Sequence, residues 1–125
     1  MGKMKKLPDA EFEIMKVVWA NKPPITTNII MQQHGNKEGW KLQTAISLLM
    51  RLVERGFLRT EKNSKERKFF PEVAKDDYLK FETSKFIRQF HDNSLINFIN
   101  TMHKDKALND DDIDELLEWA KNHRR

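Results

Sequence analysis

The chain has 125 residues, a formal net charge of +4, 34% charged and 38% hydrophobic residues, and no cysteine. That is enough to bury one ordinary core or two small ones, not to build a large enzyme. Without cysteine there are no disulfides, thiol chemistry or thiolate metal sites, which suits a reducing cytoplasm; no apolar run is long enough to cross a bilayer.

The first element expected is a helix from about Asp9 to Asn21. Before it, MGKMKKLPDAEFEI is basic but has no apolar core or cleavage site of a signal peptide. Pro8 suits a first-turn position, and Ala10, Phe12, Ile14, Met15, Val17, Val18 and Trp19 supply a broad apolar face. NKPP ends the helix, and Ile25 falls in a short extended link. Thr26 or Thr27 caps a short second helix, TNIIMQQH, which Gly35 terminates. After the loop GNKEG comes the third helix, within WKLQTAISLLMRLVERG, residues 40–56. Leu42, Ala45, Ile46, Leu49, Leu52 and Val53 recur at helical spacing as a core face, and Gly56 stops the helix.

Phe57 to Lys62 and Glu66 to Val73 read as two strands joined by NSKE, a hairpin rich in Arg and Lys. Three helices follow. KDDYLKFETSKFIRQFH places Tyr78, Leu79, Phe81, Phe86, Ile87 and Phe90 at helical spacing; SLINFINTM has Ser94 as cap; NDDDIDELLEWAKNH opens with Asn109 and Asp112 in a variant capping box. The seam is placed near Ala74, giving modules 7–73 and 74–125. Residues 1–73 carry a balance of +6 and residues 74–125 a balance of −2, so the front faces the anionic partner if there is one.

The expected fold is therefore mostly α with a small β-hairpin. Helix, short strand, helix, helix and basic hairpin are the parts of a winged helix-turn-helix, here followed by a helical dimerisation module. At roughly 100° per residue, Gln43, Thr44, Ser47, Arg51, Glu54 and Arg55 share one arc of the third helix, opposite the core face. Gln43 suits an adenine edge, and Thr44 or Ser47 a base edge, a thymine methyl or a phosphate. Lys41, Arg51 and Arg55, with Arg59, Lys62, Lys65, Arg67 and Lys68 of the wing, suit phosphates of a double-stranded DNA operator. In the back module Tyr78, Phe81, Phe86, Ile87, Phe90, Leu95, Phe98, Ile99, Leu116 and Leu117 exceed what short helices can bury among themselves, so the surplus is expected to meet a second copy.

Over about Leu7 to Asn122 the chain resembles the BlaI/MecI penicillinase repressors. The motifs are AEFEIMKVVW, TAISLLMRLVERGFL, KFFPEV and SLINFINTMHKDKALNDDDIDELLEWAKN. The resemblance implies a homodimeric repressor of a β-lactamase or related resistance operon, bound to inverted TACA/TGTA-type repeats. It also implies relief by a membrane sensor-protease through cleavage in the dimer module, at Asn97–Phe98 in this chain. The family often carries a basic residue where Gln43 and Ile46 stand. The cysteine cluster of its copper-responsive branch is missing here.

His34, His91, His103 and His123 share no close metal-ligand spacing, and the run Asp110 to Asp112 lacks the calcium-loop pattern, so no metal is expected. No phosphate loop or nucleophile-base pair can be assembled, and neither an enzyme nor a cofactor is expected. Two other readings stay open on the sequence. One is a winged helix used for protein-protein contact with a merely solvated wing; the other is a repressor of the same family answering an unrelated signal.

Overall fold

A computed structural model of the chain describes residues 4–63 and 65–124. The elements in order are α1 (Asp9–Ala20), β1 (Ile25–Thr26), α2 (Thr27–Ile30) running into a π-helical turn (Met31–Gly35), α3 (Leu42–Glu54), β2 (Leu58–Asn63), β3 (Glu66–Pro71), α4 (Lys75–Phe90), α5 (Leu95–Lys104) and α6 (Asp110–His123). The chain divides into two compact units, Met1–Glu82 and Thr83–Arg125, so the division falls inside α4 rather than near Ala74.

The first unit is built on α1, α2 and α3. Ile14, Met15 and Val18 of α1, Ile30 of α2, and Ala45, Leu49 and Leu52 of α3 are buried together with Ile25, Phe57, Leu58 and Phe69. Pro8 stands at the N-cap of α1, one place before the first turn, and its carbonyl accepts from the Phe12 N–H at 2.9 Å. The Thr26 hydroxyl caps α2 by accepting from the Ile29 N–H at 3.3 Å. Gly35 does not end α2 by a change of backbone hand. It is buried inside the π turn, where a Cβ would lie 2.6 Å from the Met31 sulfur and 3.3 Å from the Trp40 ring. The closing turn of this stretch uses Gly39, at φ +71°.

Helix α3 ends as its sequence demands. Gly56 takes φ +82°, its N–H donates to the Val53 carbonyl at 3.0 Å, and the Phe57 N–H donates to the Leu52 carbonyl at 2.9 Å. This is the Schellman arrangement, which satisfies the last helical carbonyls and turns the chain into β2. The sheet has the order β1-β3-β2, all antiparallel. The link at Ile25 is thus a third strand, with Ile25 opposite Phe69 and Thr26 opposite Lys68. Two residues are too few to carry a strand signal of their own. The turn expected at NSKE includes Ser64, outside the described residues.

Tyr78 corrects an expectation. The sequence pattern predicts it on a dimer surface, yet it is fully buried in the first unit, among Phe12, Trp19, Phe57 and Phe81 at ring-centroid distances of 5.4–6.1 Å. Its hydroxyl accepts from the Leu7 N–H at 2.8 Å and donates to Glu82 at 3.0 Å. Phe81 is half-buried against the same core. The start of α4 therefore completes the winged-helix core, because a buried phenol needs both aromatic neighbours and a partner for its hydroxyl.

In the second unit, α5 and α6 contain no buried residue. Ser94 caps α5 by accepting from the Asn97 N–H at 3.1 Å. Asn109 and Asp112 form a complete capping box on α6, with bonds of 2.8 and 3.0 Å. His91 is the buried polar side chain here; its ring packs 5.4 Å from both Phe86 and Phe98, and its Nδ1 lies 2.7 Å from the Asn97 side-chain oxygen.

Candidate nucleic-acid interface

Helix α3 has a buried side and a wet side. Ala45, Leu49 and Leu52 are buried, whereas Gln43, Thr44, Ser47, Arg51 and Glu54 are exposed. Lys41 at the N-cap is exposed as well. No ion pair or hydrogen bond ties up the side chains of Lys41, Gln43, Thr44, Ser47 or Arg51 among the described residues. Lys41, Gln43, Thr44 and Ser47 lie at the N-cap and in the first turns of the third helix, the part that enters the major groove in helix-turn-helix proteins, while Arg51 lies in its last turn.

Two expectations for α3 need correction. Arg55 is not a free phosphate ligand. Its Nε donates to Glu11 at 2.6 Å, and its Nη2 reaches the other carboxylate oxygen at 3.4 Å. Glu11 is 1% exposed on the core stripe of α1, and a carboxylate there needs a cation. The pair fastens the C-terminal end of α3 to α1. The second correction concerns Leu42, read as part of the core face. Its side chain is 51% exposed, although Ala45, three residues on, is buried.

The wing divides its cations between two faces. Thr60 stands opposite the buried Phe69, so Lys62 and Arg67, two residues away on each strand, share the core-side face as a direct cross-strand pair. Arg67 also lies 3.5 Å from the Thr60 hydroxyl, which donates to the Lys68 carbonyl at 2.9 Å. Like charges directly opposed on a ribbon repel. An anion between them turns that repulsion into binding energy. Lys65 is exposed in the turn beside them. On the outer face Arg59 pairs with Glu61 and lies over the Phe70 ring, 4.2 Å from its centroid, while Lys68 stands opposite Glu61. The outer cations are thus partly matched within the wing. Lys62 and Arg67 on the core-side face, and Lys41 and Arg51 of α3, have no carboxylate partner among the described residues.

Other chemistry is thin. Among the described residues no three His, Asp or Glu side chains come close enough to hold a metal, and no helix is long and apolar enough to cross a membrane. The groove beside the C-terminal end of α3 mixes Lys5 and Arg55 with Glu54, Glu72 and Asp77, and so does not extend the basic surface.

In the second unit Phe86, Phe90, Leu95, Leu116 and Leu117 are all more than 40% exposed, as are Ile96 and Trp119. Ile87, Phe98 and Ile99 are half-buried. Asn97 and Phe98 lie in the first turn of α5, where the Phe98 N–H donates to the Ser94 carbonyl at 3.2 Å.

A three-helix core, a short strand returning to a two-stranded wing and an exposed polar arc on the third helix define a winged helix-turn-helix protein. The penicillinase repressor family model matches residues 7–122, and the chain belongs to that family, one of repressors rather than enzymes. It is similar to the penicillinase repressor of Bacillus licheniformis, 27% identical over 97% of this chain and 96% of that one. It is also similar to the methicillin resistance regulatory protein MecI of Staphylococcus aureus strain N315, 29% identical over 92% of this chain and 93% of that one. Among solved structures, the DNA binding domain of the repressor BlaI superposes with a TM-score of 0.54 and 31% identity, over 62% of this chain and 94% of that chain. The Bacillus licheniformis BlaI monomeric form, solved in complex with the blaP half-operator, gives a TM-score of 0.51 at the same identity and coverage.

Proposed function

We propose that this protein is a cytoplasmic, homodimeric transcriptional repressor that binds a palindromic double-stranded DNA operator through α3 and the wing. Gln43, Thr44 and Ser47 read base edges; Lys41, Arg51, Lys62, Lys65 and Arg67 neutralise phosphates, with Arg59 and Lys68 as outer contacts. The observation that carries this reading is the unpaired polar arc of α3, on a domain 31% identical to one solved on a half-operator. A single winged helix makes few base contacts, and two heads joined by a dimer multiply them. The exposed apolar side chains of α4, α5 and α6 support a second copy as their cover.

The same reading makes the regulated gene part of a β-lactam-resistance operon and Asn97–Phe98 the bond cut on induction by a membrane sensor-protease. That peptide sits in a capped helical turn, so the turn must open before a protease can take the strand into its site. Cutting α5 removes apolar surface from the dimer, and operator affinity falls by mass action.

Selection from a pool of random duplexes by the full chain tests the proposal. An inverted repeat should be enriched. Retained sequences with no common site, or no retention at low salt, would leave a winged helix used for protein contact as the better reading. For relief, an uncut chain in a host holding both sensor-protease and β-lactam would remove the cleavage step and point to a different signal.

A further inference from the structure

The polar arc of α3 has an apolar border at its groove-entering end. Leu42 is the first residue of the helix and is 51% exposed. Ile46, one turn on, is half-buried. The core and the apolar side chains packed against it include Leu48, Met50 and Val53 of α3 but neither Leu42 nor Ile46. A lone exposed leucine on a surface needs no explanation. Here two apolar residues at i and i+4 form one strip, immediately beside Gln43 and Ser47. Leu42 also costs hydration free energy at a place where a polar first-turn residue would serve the helix better.

We propose that Leu42, flanked by Ile46, is a specificity-determining residue that packs on the C5-methyl group of a thymine in the major groove. This rests on the reading of α3 as the groove helix. The thymine methyl is the apolar feature of the major-groove edges, and aliphatic side chains recognise it by contact. The border of Leu42 and Ile46 is continuous with the polar arc, so one docking of α3 brings both to the base edges. The two strips divide the work: Gln43 and Ser47 meet hydrogen-bonding edges, and Leu42 meets a methyl group one step along the groove wall.

The test uses the full-length chain and the duplex enriched from a random pool. Each thymine of that duplex is replaced in turn by uracil, which deletes only the methyl group. One thymine per half-site should matter to the wild type, its replacement weakening binding about fourfold, as expected for one buried methyl-sized group. With Leu42→Ala the same replacement should have no effect. Leu42→Ala is expected to fold normally, since the side chain lies half in water, and equal thermal melts check this. If every thymine-to-uracil change weakens wild type and Leu42→Ala alike, or neither responds to any, the methyl contact is overturned while the groove assignment stands. If no duplex is enriched at all, both fall together.

Discussion

Glu11 shows how one residue sets the geometry of a surface it never reaches. It occupies the stripe of Ile14, Met15 and Val18 on α1, where burial of a bare carboxylate is costly. Arg55 resolves that cost and in doing so aligns α3 on α1. Glu11→Ala should destabilise the chain by about 2 kcal/mol, less than a fully buried pair, because Arg55 keeps 37% of its side chain in water. Arg51→Ala should leave urea melts unchanged and weaken DNA binding instead. If Glu11→Ala melts like the wild type, the pair has no structural role. Tyr78 makes a second residue-level test. Its pKa is pushed up to about 12, foremost by burial, with the Leu7 N–H opposing and Glu82 adding to the rise. The fold therefore favours the neutral phenol. That stabilisation is fully present below the ordinary value of 10 and is lost as pH climbs toward 12. Tyr78→Phe should lose about 1–3 kcal/mol at neutral pH, through the unpartnered Leu7 N–H, and should show a flatter decline of stability between those pH values. An equally steep decline would assign the alkaline sensitivity to other groups.

At the scale of elements, the caps set the local order of the turn where cleavage is proposed. Ser94 holds the turn that contains Asn97 and Phe98, and Ser94→Ala should remove about 1 kcal/mol of local stability. Cleavage in a host with the sensor-protease and inducer should then be several-fold faster; an unchanged rate would mean that opening this turn is not limiting. Much of this architecture could be read from the residues. Helix periodicity, the Asn109–Asp112 box and the glycine at 56 are local signals, and the helices and wing follow from them. What escaped was non-local. β1 exists because β3 pairs with it, and the burial of Tyr78 depends on a hydroxyl partner 71 residues away. Leu42 has the spacing of a core residue but stands half in water. The Glu11–Arg55 pair does leave a trace in the sequence: a carboxylate on an apolar stripe asks for a cation, and Arg55 answers Glu11 rather than DNA.

For the whole molecule, net charge and most of the exposed apolar side chains fall in different parts of the chain. The front of the chain carries the net positive balance, and the second unit carries exposed Leu95, Ile96, Leu117 and Trp119. That separation suits a reader of DNA joined to a device for pairing. Leu117→Asp, at a side chain 61% exposed, should keep the fold and give a particle near the single-chain mass of 14.9 kDa by light scattering. A retained mass twice that value would place the pairing surface elsewhere. The groove assignment of α3 is met most directly by one titration: affinity of the wild type, Arg51→Ala and Gln43→Ala against salt, on the selected duplex and on random duplex. Arg51→Ala should weaken both duplexes and reduce the slope of log K against log salt by about 0.9, one phosphate contact. Gln43→Ala should weaken the selected duplex alone and leave the slope unchanged. If the two variants lose affinity equally on both duplexes, α3 does not lie in the groove as described.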